Sequence, residues 1–428
     1  MSASEPETPN SGTPTSEAQA ARSLLSAEAV RERAHGLFAH GLAGRLDHFS
    51  VDLDRLESCA DEVVTTIRAA YPTLDIPFHA RWRHLAAGGL DRWGSLSHAA
   101  PWPDTASQAR AAFDLAIVSV LLDAGAGPDW RYEEGRTGET YRRSEGLAVA
   151  SFDLFLSGAL SVRADDPYRV DAEALAALTA DDLAAAFQAG PDNPLVGLEG
   201  RAALLNRLGR TLAAGPEAFG ATEPRPGGLF DLLAAQAGGG TLPAPRILQA
   251  LLDHLGPIWP GRIRLGGVDL GDTWRHPLAE ARDGPDPDTA GLVPFHKLSQ
   301  WLAYSLIEPL EEAGVAVAEV GGLTGLPEYR NGGLFLDTGV LALKDAADAD
   351  RPHAVDERLV VEWRALTVAL LDEVAPLVRA RLGVDDPEAM PLARVLEGGT
   401  WATGRRLAAA KRPGGAPPLA VVSDGTVF

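Results

Sequence analysis

The sequence predicts a mainly α-helical body with a few short strands. Ala and Leu are abundant, and apolar residues recur at intervals of three and four, which lines up one face of a helix. Strand patterns are confined to GRIRLGGVDL (residues 261–270) and the terminal PPLAVVSDGTVF (417–428). With 428 residues, 46% of them hydrophobic, the chain has material for a large core.

Residues 1–20, MSASEPETPNSGTPTSEAQA, contain Ser, Thr, Pro and Glu with no aromatic, and are expected to form a disordered tail. The rest, 21–428, is expected to be one large helical body. Helical periodicity runs over 22–43, 53–70, 106–123, 171–187, 198–213, 295–313 and 355–382. Pro376 lies inside the last segment and predicts a kink or break. Gly and Pro thicken between about 214 and 260, which either divides two lobes or decorates one body.

A net charge of −21 disfavours a broad nucleic-acid surface but leaves room for a small basic pocket. The lone Cys59 excludes an intramolecular disulfide. No apolar run reaches the roughly 18 residues of a membrane span. The N-terminus lacks a signal-peptide pattern, so a cytoplasmic address is expected. No phosphate loop of the GxxxxGK[ST] kind occurs, and DAGAGP (123–128) is only a weak G-x-G. His79 and His84 are five residues apart, which on a helix splays them by about 140°, so no metal and no cofactor is expected.

Four clusters remain. HARWRH (79–84) and DWRYEEGRTGETYRRSEGL (129–147) mix Arg with Trp and Tyr, a set suited to gripping phosphate between flat walls. Both also read as solvated, ion-paired loops. In PFHKLSQWLAYSLIEPLE (294–311), Leu298, Leu302, Leu306 and Leu310 form one helical stripe. Lys297, Trp301, Tyr304 and Glu308 fall opposite, either lining a pocket or packing on a neighbour. In LTGLPEYRNGGLFLDTGVL (323–341), Pro327 suits a first helical position with Thr324 as its cap and Glu328 in the first turn. Asn331-Gly332-Gly333 follow at once, a sign of close backbone approach. Glu362, beside the stripe of Leu359, Trp363, Leu366 and Leu370, needs a partner, for which Arg330 is the candidate.

RWRHLAAGGLDRW, DWRYEE with RSEGLAVAS, GVDLGDTWRHP, PFHKLSQWLAYSLIEPLE, LTGLPEYRNGGLFLDTGVL and SDGTVF together resemble the helical family that includes the fourth uracil-catabolism protein of fungi. The likeness spans most of the chain after the tail and implies work on ribosylurea or its 5-phosphate. A more distant likeness is to the queuosine-salvage N-ribosylhydrolases, in the order HK..QWL, LTGLPEYR, VEWRALT. It implies a helical body of the DNA-glycosylase-like, helix-hairpin-helix type. Glu328 stands where those enzymes have Asp, while Tyr329, Arg330, Glu362 and Arg364 match.

The resemblance thus implies an N-ribosylhydrolase that splits ribosylurea 5-phosphate into urea and ribose 5-phosphate. Glu328 would be the carboxylate facing the sugar cation, with Arg330, Glu362 and Arg364 holding the site. Asp337 or His296 would supply the acid, and Lys297, Arg142 and Arg143 the phosphate grip. Tyr329, Trp301, Tyr304, Trp130, Trp274 and Asp424 are the other expected substrate contacts. The rival expectations are an amidohydrolase attacking the ureido carbonyl, a helical nucleic-acid or ligand binder, and a non-catalytic scaffold. A small-molecule partner is expected, with no nucleic acid and no membrane. The oligomeric state is open.

Overall fold

The computed structural model describes residues 15–259, 262–279 and 288–422. Its first helix, Ser16–Ser23, starts inside the segment expected to be a tail. Thr15 caps it by accepting from the Ala18 amide, and Ala20 and Ala21 are buried. Gly266, at φ +53°, is in backbone contact with this helix, since a Cβ there would collide with Ala18. Residues 16–20 are therefore ordered. Residues 1–14 lie outside the described residues.

The long helices follow the expected periodicity: Ala27–Leu42, Leu56–Ala70, Thr105–Leu121, Leu198–Ala214, Lys297–Glu312 and Arg358–Leu382. Two details differ. The 171–187 segment is two helices, Ala172–Ala177 and Ala180–Ala186. Thr179 and Asp182 form a capping box that starts the second and stops the first. Pro376 does not break the last helix, which runs unbroken for 25 residues. Val374, Ala375 and Val378 are buried on both sides of the proline. Packing against the Ala27–Leu42 and Leu56–Ala70 helices holds it through the missing hydrogen bond.

The 214–260 stretch contributes helices Pro216–Phe219, Gly228–Ala237 and Ala244–Leu255. Their buried residues belong to the same hydrophobic cluster as the rest of the described chain. Among the described residues, every sheet is two-stranded. Arg264–Leu265 and Val268–Asp269 form a hairpin, while Ala420–Val422 pairs in parallel with Pro352–Ala354. The protein is mainly helical, as expected, and no described helix is long and apolar enough to cross a membrane.

Three glycines set the packing around Tyr329–Thr338. A Cβ on Gly332 would lie 2.7 Å from the Trp363 ring, and one on Gly333 would lie 3.1 Å from Pro418. One on Gly404 would collide with the Arg330 carbonyl, so the Trp401–Lys411 helix meets Tyr329–Thr338 backbone to backbone. Gly404→Ala should therefore destabilise the fold by about 1–3 kcal/mol through overpacking. Gly36→Ala, on the exposed face of Ala27–Leu42 with open space around it, should stabilise by up to about 1 kcal/mol. Denaturant unfolding of both variants checks the pair.

Candidate active site

The Tyr329–Thr338 helix is capped by Glu328, not by Thr324. The Glu328 carboxylate accepts the Arg330 amide at 2.7 Å and the Asn331 amide at 2.6 Å. Pro327 stays outside the helix, and Thr324 instead accepts the phenol of buried Tyr304 on its carbonyl at 3.0 Å. Asn331 ties the turn down by donating to the Leu326 carbonyl and accepting from Thr400. Glu328 thereby sits at the inner end of a cleft of about 280 Å³, walled by Trp301, Leu326, Tyr329 and Trp401. Lys297, Asp123, His79 and His84 line the same space.

Burial raises the pKa of Glu328, and the two amides and Lys297 pull it back only in part. Burial also acts on Asp123, but the Arg81 charge, with Lys297 and the Arg81 hydrogen bond, outweighs it and holds this carboxyl below its ordinary value. Arg81 lies 2.9 Å from Asp123 with no exposed side-chain surface. Burial, then Arg81, lowers His84 to about 4, so its imidazole is neutral at pH 7. Lys297 is lowered by burial, with Glu328 opposing. The Trp301 indole nitrogen is buried and has no hydrogen-bond partner among the described residues.

The cleft opens into an outer basin of about 760 Å³ that shares His79, His84, Arg143 and Trp401 with the inner space. Five arginines (83, 142, 143, 330 and 405) line it against two glutamates, Glu145 and Glu397. A locally positive mouth thus stands on a chain of net charge −21. Arg330 stacks on Tyr329 at 4.9 Å and donates to the Gly415 carbonyl at 2.9 Å. Arg143, at φ +54°, starts the Arg143–Leu156 helix and donates to Gly414.

Of the expected site residues, the structure gathers Glu328, Tyr329, Lys297, Trp301, Arg142, Arg143 and Arg330 around this cleft. It places the others elsewhere. Asp337 is at the far end of its helix, paired with Arg412 at 2.6 Å and buried by that contact. His296 caps the Lys297–Glu312 helix with φ +47° and donates from Nε2 to the Leu24 carbonyl at 2.9 Å. Tyr304 and Trp130 are core residues, the latter donating to the Phe187 carbonyl. Glu362 does not meet Arg330. It accepts the Asp47 and His48 amides at 3.1 and 3.0 Å, with His276 at 3.3 Å. Arg364 makes a two-point pair with Asp272 at 2.8 and 2.7 Å, which also accepts from Trp274. Asp424 lies outside the described residues.

Sequence reasoning missed Asp123, Trp401 and Glu397. Asp123 opens the weak DAGAGP stretch, whose glycines line the cleft wall. Glu397 rides a π-helical turn, Leu396–Thr400, that delivers Trp401. The 140° splay does not apply to the histidines, because His79 precedes the Arg81–Leu85 helix and both rings pack against Trp301 and Trp401.

Fold and cleft define a helical protein with a small polar cleft, a buried carboxylate at its floor and arginines at its mouth. Residues 23–428 match the model of a family described as "Protein of unknown function (DUF1688)", and the chain belongs to that family. It is 40% identical over 418 residues to a Lachancea kluyveri protein named "Uracil catabolism protein 4", covering 90% of this chain and 93% of the relative. It is also 40% identical over 416 residues to the Schizosaccharomyces pombe protein named "Protein urg3", covering 95% and 98%.

The Asp272–Arg364 pair makes stability depend on pH. Burial alone would raise Asp272, but the Arg364 charge and hydrogen bonds outweigh it and depress this carboxyl far below its ordinary value. Its contribution is complete above the unfolded carboxyl value of about 3.9 and is lost as pH falls toward the depressed folded value. Asp272→Asn should cost about 3–5 kcal/mol at pH 7 by taking the carboxylate charge away from the buried Arg364 guanidinium. It should also flatten the loss of stability between pH 4 and lower values, about where wild type falls. Chemical denaturation across that range measures both effects.

Proposed function

We propose that the protein is an N-ribosylhydrolase of uracil catabolism that splits ribosylurea, as its 5-phosphate, into urea and ribose 5-phosphate without a metal or cofactor. The observation that carries this reading is the Glu328 carboxylate, fixed by two backbone amides at the floor of a cleft whose mouth is rich in arginine. The names of the two relatives support the pathway. The likeness of LTGLPEYR to the queuosine-salvage segment supports the bond that is broken and a DNA-glycosylase-like lineage.

Breaking an N-ribosyl bond builds positive charge at C1′, and a fixed carboxylate stabilises it without reorganising. Glu328 fills this role while its second function, capping, keeps it from swinging away. The same carboxylate accepts the proton of the attacking water, the two-role logic known for O-glycosides. Trp301 and Trp401 form the walls, and the unpaired Trp301 indole offers a donor to the ureido oxygen. Arg142 and Arg143 meet the phosphate at the mouth, where guanidinium groups bind two oxygens at once. Lys297 belongs at the inner end, beside Glu328.

Incubating the pure protein with ribosylurea, with and without the 5-phosphate, tests the reading through its products. Intact urea with the ribose moiety is expected, and ammonia with carbon dioxide would overturn it in favour of attack on the ureido carbonyl. Glu328→Gln keeps the shape and removes the charge. It should lower kcat by roughly 10²-fold or more, the usual worth of one preorganised group. A near-normal kcat with a lowered melting temperature would reduce Glu328 to a helix cap. Arg143→Ala should raise KM for the phosphorylated substrate far more than for the unphosphorylated one, and steady-state kinetics on both separates the two effects.

A further inference from the structure

His79 belongs to no helix. It is held in the bend that leads into Arg81–Leu85, its amide donating to the Ala393 carbonyl at 3.0 Å. Its Nδ1 lies 2.7 Å from Glu397 Oε2. The ring sits between Trp301, 6.3 Å away and tilted by 32°, and Trp401, 6.2 Å away and tilted by 41°. Its other nitrogen, Nε2, makes no hydrogen bond to a described residue, and the ring lines both the inner cleft and the basin.

Glu397 is itself fixed with care. The π-helical turn that carries it is pressed onto the Leu56–Ala70 helix. A Cβ on Gly398 would lie 2.9 Å from Ile76, and one on Gly399 would lie 2.5 Å from Val63. Extra-residue turns of this kind frequently occur at functional sites. Burial acts to raise Glu397, but the hydrogen bond and charge of His79 outweigh it and hold the carboxyl below its ordinary value. A carboxylate that grips Nδ1 fixes the tautomer and presents Nε2, as in other base–orienter pairs.

We propose that His79 is the general acid of the cleft, donating from Nε2 to the departing urea nitrogen, with Glu397 as its positioning residue; this rests on the ribosylhydrolase reading above. The C1′–N bond breaks and its electron pair goes to nitrogen. The proton from Nε2 completes urea. The water oxygen bonds to C1′ and gives its proton to the Glu328 carboxylate. Exchange with solvent then returns His79 to imidazolium and Glu328 to carboxylate, so the net change is water plus substrate to urea plus sugar. The charged and titratable groups that act on His79 are Glu397 on the π turn, His84 on Arg81–Leu85 and Glu328 at its cap, while Arg83, Asp123, Arg143, Lys297 and Arg405 line the same cleft and basin. Tyr71 also reaches Glu397, at 3.4 Å.

The test is the pH profile of kcat on ribosylurea 5-phosphate for wild type, Glu397→Gln and His79→Asn, with urea release as the readout. Wild type should lose activity on the alkaline side as the imidazolium gives up its proton. His79→Asn should lower kcat by about 10²-fold or more and lack that alkaline limb, since a positioned acid contributes on this scale. Glu397→Gln should keep the limb but move it to lower pH, because loss of a negative partner favours the neutral imidazole. A packing role would change stability and leave the limb where it is. An unmoved limb in Glu397→Gln, or near-normal kcat in His79→Asn, overturns the assignment while the ribosylhydrolase reading stands. If His79→Asn fails to fold, Glu397→Gln decides alone. Wild type that releases no urea overturns both.

Discussion

The buried guanidinium of Arg81 fixes the rest of the cleft. It has no exposed surface, so all of its partners come from within the protein. Its Nε donates to Ser119 at 2.7 Å, and one terminal nitrogen reaches the Ser144 carbonyl at 3.3 Å and Asp123 at 2.9 Å. Its amide donates to Ser305. One residue thus ties together the Thr105–Leu121, Arg143–Leu156 and Lys297–Glu312 helices, which carry or flank Asp123, Arg143 and Trp301. The same charge sets ionisation, keeping Asp123 an anion and helping burial hold His84 neutral. A buried ion is weak evidence for stability, because a packed apolar group would often serve as well. Its retention makes sense where position and charge state matter more than net free energy.

Glu328 shows the same economy. Helix caps are commonly short side chains on solvent-facing turns, whereas here a longer carboxylate caps from inside a cleft. The amides favour its ionised form and burial opposes it. The capping geometry stops the side chain from relaxing toward the nearest cation, so its charge is aimed by backbone atoms. A charge held that way needs no reorganisation to act on whatever enters the cleft.

Much of this was legible in the sequence. The long amphipathic helices stood out, because each buries a continuous apolar stripe that periodicity detects. The LPEYRNGG stretch also stood out, because ionisable groups among glycines conflict with a plain helix. The partners were not legible. Arg330 and Glu362 share no local spacing, and their contacts come from residues about 85 and 315 positions away in the chain. Asp337 looked like an acid because its pair, Arg412, is equally remote. His296 looked chemical because a left-handed cap does not show in periodicity. Glu397 and Trp401 were hidden because a π-helical turn shifts register by one residue, which a 3.6-residue template reads as noise.

The glycines explain how so loose a pattern yields a fixed cleft. Side chains spaced by helix–helix packing keep some play, whereas backbones in contact keep little. At Gly332 the Tyr329–Thr338 helix rests on Trp363, at Gly333 on Pro418, and through the Arg330 carbonyl on Gly404. Its N-terminus therefore has three rigid supports, and Glu328, Tyr329 and Arg330 all project from that end. On the opposite wall Gly398 and Gly399 seat the turn carrying Glu397 against Ile76 and Val63. Both walls are thus set by backbone approach, and the residues between them inherit that precision. A site that must hold a charge within about half an ångström of its working position needs such support from the layer behind it. The glycine-rich sequence that weakens these helices locally is the means by which the cleft keeps its shape.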